Sequence, residues 1–315
     1  MSESITRNFR GTALRKYIAV IVLLMLVLFN CLFTKNFVSW VTFSNLFIQA
    51  SKVALVALGM TLVIATGGID ISVGSAMGMG ATIAAVYLVD KQPFGVVISL
   101  VAVLAFGLLA GVLVARFKIL PLVTTLAAMY IMRGLGQVIS GIGTVTFSYP
   151  GLQKFFITPI AGHIPIHFFI LIAAVIIMYI VVNRMKFGSH IEAYGNNPMA
   201  ARVCGINTTR LVIVAYVVCA LFAWMSGMLE ISMVSCADPS RTGQDMEIDA
   251  IAAVVIGGTN INGGYPNIIG SVCGAILLQL ITMMCNMNNI TYSVSLMIKA
   301  GIIIIALFFH GFRRK

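Results

Sequence analysis

The chain has 315 residues, 60% of them apolar and only 9% charged, with a formal net charge of +11. Soluble domains carry about 25% charged residues, so this inventory cannot coat a globule and a water-soluble enzyme is excluded. The solvent is lipid, which admits helices or a closed barrel, and long continuous apolar runs select helices over the alternating strands of about ten residues that build barrels.

The expected fold is therefore all-α and polytopic, with about ten transmembrane segments, some of them broken or short. A single transmembrane domain covers 17–310, between a basic tail at 1–16 and a second tail at 311–315. The first segment, 17–33, is followed by no small-residue cleavage site and reads as a retained helix. Segments at 46–66 and 73–89 flank a first interruption, Gly67-Gly68-Ile69-Asp70-Ile71-Ser72-Val73-Gly74-Ser75. Segments at 95–115, 119–139 and 166–183 follow, with Phe147, Tyr149, Phe155 and Phe156 in an intervening loop as interface aromatics. A long basic connection, 184–210, leads to the segment at 211–229. After a polar loop at 236–249, the segment at 248–258 is too short to cross alone and reads as a half-helix. A second interruption, Gly257-Gly258-Thr259-Asn260-Ile261-Asn262-Gly263-Gly264, precedes segments at 265–285 and 292–310.

An even number of segments puts both termini on one side. With the N-terminus inside, thirteen of the twenty basic residues fall in cytoplasmic stretches and four in outer loops. That asymmetry satisfies the positive-inside rule, so both termini are expected in the cytoplasm. Basic inner loops face anionic lipid, which accounts for the net charge without nucleic acid.

The two interruptions share a pattern: apolar helix, paired glycines, short polar turn, helix rich in small residues. Matching breaks in two halves of a transporter point to its path, which makes Gly67, Gly68, Asp70, Ser72, Gly257, Gly258, Asn260 and Asn262 the candidate path residues. The alternative is a pair of tight cytoplasmic turns. Asp70, Asn260 and Asn262 either orient the breaks and touch the path or cap the helices that follow.

Within 184–210 the residues encode a short helix. Asn197 suits the cap, Pro198 the first helical position, Met199, Ala200, Ala201 and Arg202 the body, and Gly205 the left-handed stop. About two turns are marginal in water, so this helix needs a surface, either a cytoplasmic protein or the lipid interface.

Six cysteines form no C-x-x-C pair, and the four histidines lack zinc-helix spacing, so no metal or redox site is expected. Lys52 is expected to snorkel outward, and Arg133 to reach the outer interface. Lys299 needs a partner, either structural or substrate. In the loop at 236–249, Asp238, Arg241, Asp245 and Glu247 form either a docking surface for an external protein or a solvated rim.

Three strings, GMTLVIATGGIDISVGS (59–75), GNNPMAARVCGI (195–206) and EIDAIAAVVIGGTNINGGYPNIIGSVCGAIL (247–277), occur in this order. Over about residues 40–310 the chain resembles the permease subunits of bacterial ATP-binding-cassette importers for ribose, xylose, galactose and related monosaccharides. The resemblance implies a bacterial inner-membrane protein that passes a sugar inward by alternating access. It implies a second permease subunit, identical or related, an external sugar-binding protein, and a separate ATPase that binds ATP and Mg. The helix at Asn197–Gly205 then becomes the coupling helix seated in the ATPase, and a bulky charged residue at Ala201 is expected to uncouple the two. The chain has no G-x-x-x-x-G-K-[ST] string, so it is not expected to bind ATP or any cofactor itself. An ion-coupled symporter acting as a single chain is the rival reading. It is disfavoured because the spans hold few ionisable groups.

Overall fold

A computed structural model describes residues 20–34, 37–157 and 165–312. The predicted tail at 1–16, the start of the first segment, and residues 313–315 lie outside the described residues. Among the described residues there are thirteen helices, and each of the predicted segments overlaps one. They are α1 (Val20–Phe33), α2 (Trp40–Ala65), α3 (Val73–Val89), α4 (Gly95–Ala115), α5 (Pro121–Ser140), α6 (Pro150–Ile157) and α7 (Ile166–Asn183). There follow α8 (Lys186–Asn196), α9 (Pro198–Val203), α10 (Thr208–Val234), α11 (Met246–Ile256), α12 (Ile268–Met287) and α13 (Tyr292–Phe312). Six of them, α2, α4, α5, α7, α10 and α12, are long and apolar enough to cross a membrane. Two strands too short for sequence patterning, β1 (Val145–Thr146) and β2 (Cys236–Ala237), pair antiparallel with Val145 opposite Ala237. This ribbon packs on the C-terminal half of α3 through Phe147, Ala237, Ala84 and Leu88.

The core is α2 packed against α10, α11 and α12, with α3 and α4 closing the other side of α10. In lipid, apolar surface alone does not drive helices together, so small residues and interhelical hydrogen bonds do the work. Gly59 of α2 sits against the Cys219 backbone of α10, where a Cβ would lie 2.7 Å from Cys219 Cα. The buried hydroxyls of Thr61 in α2 and Ser271 in α12 lie 2.8 Å apart and join those helices. Trp224 Nε1 of α10 donates to Ser99 Oγ of α4 at 2.8 Å.

Local signals explain several helix ends. The Ser39 hydroxyl accepts from the Thr42 amide and starts α2. Asn207 accepts from the Arg210 amide to start α10. Gly141, at φ 67, stops α5 in the left-handed conformation that glycine adopts without strain. Faces rich in Leu, Ile and Val on α4, α5 and α7 remain exposed, as helices bordering lipid require.

Candidate functional site

The two interruptions come together at one end of the bundle. The carbonyl of Asn262 lies 3.6 Å from where a Gly67 Cβ would stand, and the Gly264 amide donates to the Ala65 carbonyl at 2.9 Å. They share a turn as well as a sequence pattern. Asp70 Oδ1 accepts from the Ser72 amide at 2.9 Å and from its hydroxyl at 2.6 Å. At the equivalent place, Asn260 Oδ1 accepts from the Asn262 amide at 3.1 Å. Both are side-chain-closed turns of the kind Asp and Asn favour. Gly67 at φ 78 and Gly258 at φ 90 supply the left-handed residue that lets each helix end and the chain turn back.

Asp70 and Ser72 are buried, whereas Gly258 is exposed and Asn260 and Asn262 are partly or fully so. The first break therefore re-enters the bundle. Gly68 packs under the Tyr216 hydroxyl, and α3 starts inside the protein. The second break is pinned from α12 by Asn267. Its Nδ2 donates to the Gly257 carbonyl at 2.7 Å, its Oδ1 accepts from the Gly270 amide at 3.1 Å, and its own amide donates to Thr259 Oγ1 at 3.1 Å. Sequence reading missed Asn267. An Asn just ahead of a helix, three residues before a Gly, was its only local signal.

The connection between α7 and α10 rests on this junction. Asn197 Oδ1 accepts from the Met199 and Ala200 amides at 3.1 and 3.0 Å, Pro198 opens α9, and Gly205 adopts φ 81 just after it. Ala201 is the buried residue of α9, while Met199 and Val203 are 70% and 81% exposed. Ala201 thus belongs to the seat of the helix on its own chain, and the outward apolar face is Met199 with Val203. A preceding amphipathic helix, α8, went unread. Its Gly195 abuts the Ala65 carbonyl and the Gly264 amide, so one residue touches the end of α2 and the second break together.

At the opposite end, the stretch 236–249 divides. Asp238 closes its own turn, with Oδ1 accepting from the Ser240 amide at 2.8 Å, and Arg241 is exposed. The chain then descends along α3. The Gly243 carbonyl and the Glu247 carboxylate fill the space where a Gly74 side chain would stand, and Asp245, at φ 60, precedes α11. Asp245 and Glu247 therefore lie beside the start of α3, and they and Asp238 all act on the Arg133 guanidinium. With 11 residues α11 is about 16 Å long.

The embedded cations have partners. Arg133, expected to reach the outer interface, uses Nη1 to donate to the Pro239 and Thr242 carbonyls of the 236–249 loop at 2.7 and 2.8 Å, clamping the descending loop to α5. Lys52, expected to snorkel, instead pairs with Glu230 of α10 at 2.7 Å. In both cases a carboxylate or a loop carbonyl, distant in sequence, lies within reach. Lys299 pairs with Asp249 at 3.0 Å, a structural pair between α13 and α11. Among the described residues no cluster of metal-ligating side chains occurs.

Residues 42–307 match the family model described as branched-chain amino acid transport system / permease component. The chain belongs to this permease family. It is 40% identical over 236 residues, 73% of this chain and 68% of the relative, to the galactofuranose transporter permease protein of Escherichia coli (strain K12). It is 31% identical to the ribose import permease protein of the same organism, over 95% of each chain. The ribose import permease protein of Bacillus subtilis (strain 168) is 31% identical, over 90% of this chain and 89% of its own. No solved structure matches. The permease is a multi-pass protein of the inner membrane, and the motifs that carried the resemblance in its sequence are those that form the junction described above.

Proposed function

We propose that this chain is the transmembrane subunit of an ATP-binding-cassette importer that passes a monosaccharide of the ribose, xylose or galactose kind into the cytoplasm. Its termini and the α8–α9 connection face the cytoplasm, on the side favoured by the basic residues. A separate ATPase binds ATP and Mg and receives α9. A second permease subunit, identical or related, completes the pore, and an external binding protein delivers the sugar at the end that carries Asp238 and Arg241. No cofactor is held by this chain.

The observation that carries this reading is the packing of Gly195. The backbone of α8 lies directly on the end of α2 and on Gly264, with no side chain between, so a push on α9 reaches both breaks without slack. Alternating access needs only that nucleotide and sugar favour different members of one pair of packings. Gly67, Gly68, Asp70, Ser72, Gly257, Gly258, Asn260 and Asn262 are the parts that change. A monosaccharide presents hydroxyls, and the backbone and neutral side chains of these turns suit weak, releasable contact.

A single-chain symporter is the competing mechanism. Against it, Lys52 and Lys299 already have carboxylate partners and Arg133 has two carbonyls, so these three embedded cations are held in place. The test is sugar uptake into proteoliposomes holding ATP, with and without the ATPase subunit. Uptake is expected only with the ATPase. Concentrative uptake by the permease alone under an ion gradient would overturn the proposal.

A further inference from the structure

Helix α11 begins part-way through the bundle. It runs antiparallel along α12, where the Gly257 carbonyl fills the space of a Gly270 side chain and the Ala253 carbonyl that of Gly274. At 20 residues α12 spans about 30 Å, the thickness of a hydrocarbon core, whereas α11 covers about 16 Å from the junction end. Asp245 and Glu247 therefore sit near mid-depth. Thr125 Oγ1 lies 3.4 Å from the Ile69 carbonyl of the first break, so α5 starts at the same end. Arg133 follows Pro121 at the start of α5 by about 18 Å, which brings it to the same level. Its guanidinium acts on Asp245 and Glu247, yet among the described residues it forms an ion pair with neither. All three side chains are half-buried, Gln244 and Ile248 are exposed, and the chain that reaches them from the exposed Arg241 is turn rather than helix.

Hydrocarbon solvates neither half-exposed charges nor turn backbone, so at this depth both belong against protein or water. The sides of α4 and α7 that border lipid are of another kind, with Val101 62% and Ile177 58% exposed. A dry protein cover leaves two carboxylates buried without ion-pair partners, which is the costlier arrangement. We propose that the strip from Arg241 through Gln244, Asp245, Glu247 and Ile248, beside Arg133 of α5, walls a water-filled channel that opens at the outer end, and that this channel is the outer half of the sugar path. That sugar passes here rests on the transport reading above, whereas the wetness of the strip does not. Guanidinium donors beside carboxylate acceptors offer both parts of the hydrogen bonds that a sugar hydroxyl makes with water. Gly243 against Gly74 joins the wall to the start of α3, just beyond the first break.

The test uses the full-length permease with its ATPase and binding protein in proteoliposomes holding ATP. Gln244→Cys and Ile248→Cys are treated from outside with a cationic, membrane-impermeant methanethiosulfonate, with Val101→Cys and Ile177→Cys as lipid-facing controls. Peptide mass mapping reads labelling at each position apart from the native cysteines, whether or not a variant transports. The reagent takes the thiolate, which forms where water reaches, so positions 244 and 248 are expected to label about tenfold faster or more than the controls. Uptake of radiolabelled ribose, xylose or galactose is expected to fall about fivefold or more on treatment, relative to the untreated half of the same preparation, because the added group fills part of the path. If the parent chain transports while 244 and 248 label no faster than the controls, the strip is dry and the proposal is overturned, with the transport reading intact. Fast labelling that leaves uptake unchanged overturns it as well, since the water then lies off the path. Fast labelling in a parent chain that moves no sugar keeps the wet wall and removes the transport reading.

Discussion

Asp70 and Asn260 hold equivalent positions in two turns that fold alike, and each uses one side-chain oxygen on the amide two residues later. That acceptor is common to a carboxylate and a carboxamide, so the geometry asks for an oxygen and makes no demand for charge. A buried charge in a membrane interior is expensive, which favours the neutral form still further. Asp70→Asn is expected to retain sugar uptake within about tenfold of the parent, since a lost neutral contact is worth about 0.5–1.5 kcal/mol at most. Asp70→Leu strands the Ser72 amide and hydroxyl, at about 1–3 kcal/mol for each buried unsatisfied group, and is expected to abolish uptake. Proteoliposomes carrying the ATPase measure both, and an inactive Asn variant would show that the charge itself is used. Gly195 is the complementary case. A methyl group there meets the Ala65 and Gly264 backbones, which cannot swing aside as a side chain can. Gly195→Ala is expected to cost about 1–3 kcal/mol of stability through overpacking, read as a lower melting temperature in detergent, together with loss of ATP-driven uptake.

At the scale of elements, α9 shows which parts of this molecule its sequence declares. Asn197, Pro198 and Gly205 are local signals, and the cap, the first turn and the left-handed stop all follow from them. Which way the helix faces is a tertiary fact. Ala201 is turned inward while Met199 and Val203 are turned out, and no spacing within six residues could tell the two faces apart. Met199→Asp with Val203→Asp is therefore expected to leave the melting temperature unchanged and to remove copurification of the ATPase. Ala201→Glu, in contrast, is expected to lower the melting temperature, because it forces a charge into a packed seat. The same division runs through the rest of the fold. Long apolar runs placed α2, α4 and α12 to within a few residues, except at the start of α2, where Ser39 caps it earlier than the apolar pattern begins. Helix α8 was hidden by Gly188 and Gly195, poor helix formers retained because the Val182 and Gly264 backbones press on them. The descent of 236–249 along α3 depends on Gly74 meeting Gly243, a contact between residues far apart in the chain.

Across the whole molecule, embedded charge separates a motor-driven gate from an ion-coupled carrier. A carrier needs ionisable groups that exchange partners during the cycle. A gate can use its ion pairs as fixed struts. Asp249 and Lys299 join α11 to α13, with the ammonium between both carboxylate oxygens at 3.1 and 3.0 Å and the lysine 7% exposed. Removing one partner of such a pair strands the other and typically costs about 3–5 kcal/mol, whereas apolar replacement of both is often neutral. Lys299→Met alone and Asp249→Leu alone are therefore expected to lower the melting temperature sharply, and the double variant to recover most of it. If the pair is a strut, the double variant also recovers ATP-driven uptake, and a protonophore leaves that uptake unchanged. If the pair relays charge, stability returns in the double variant while uptake does not. Melting curves and uptake on the same three preparations therefore distinguish the two roles, because only a fixed strut lets both quantities return together.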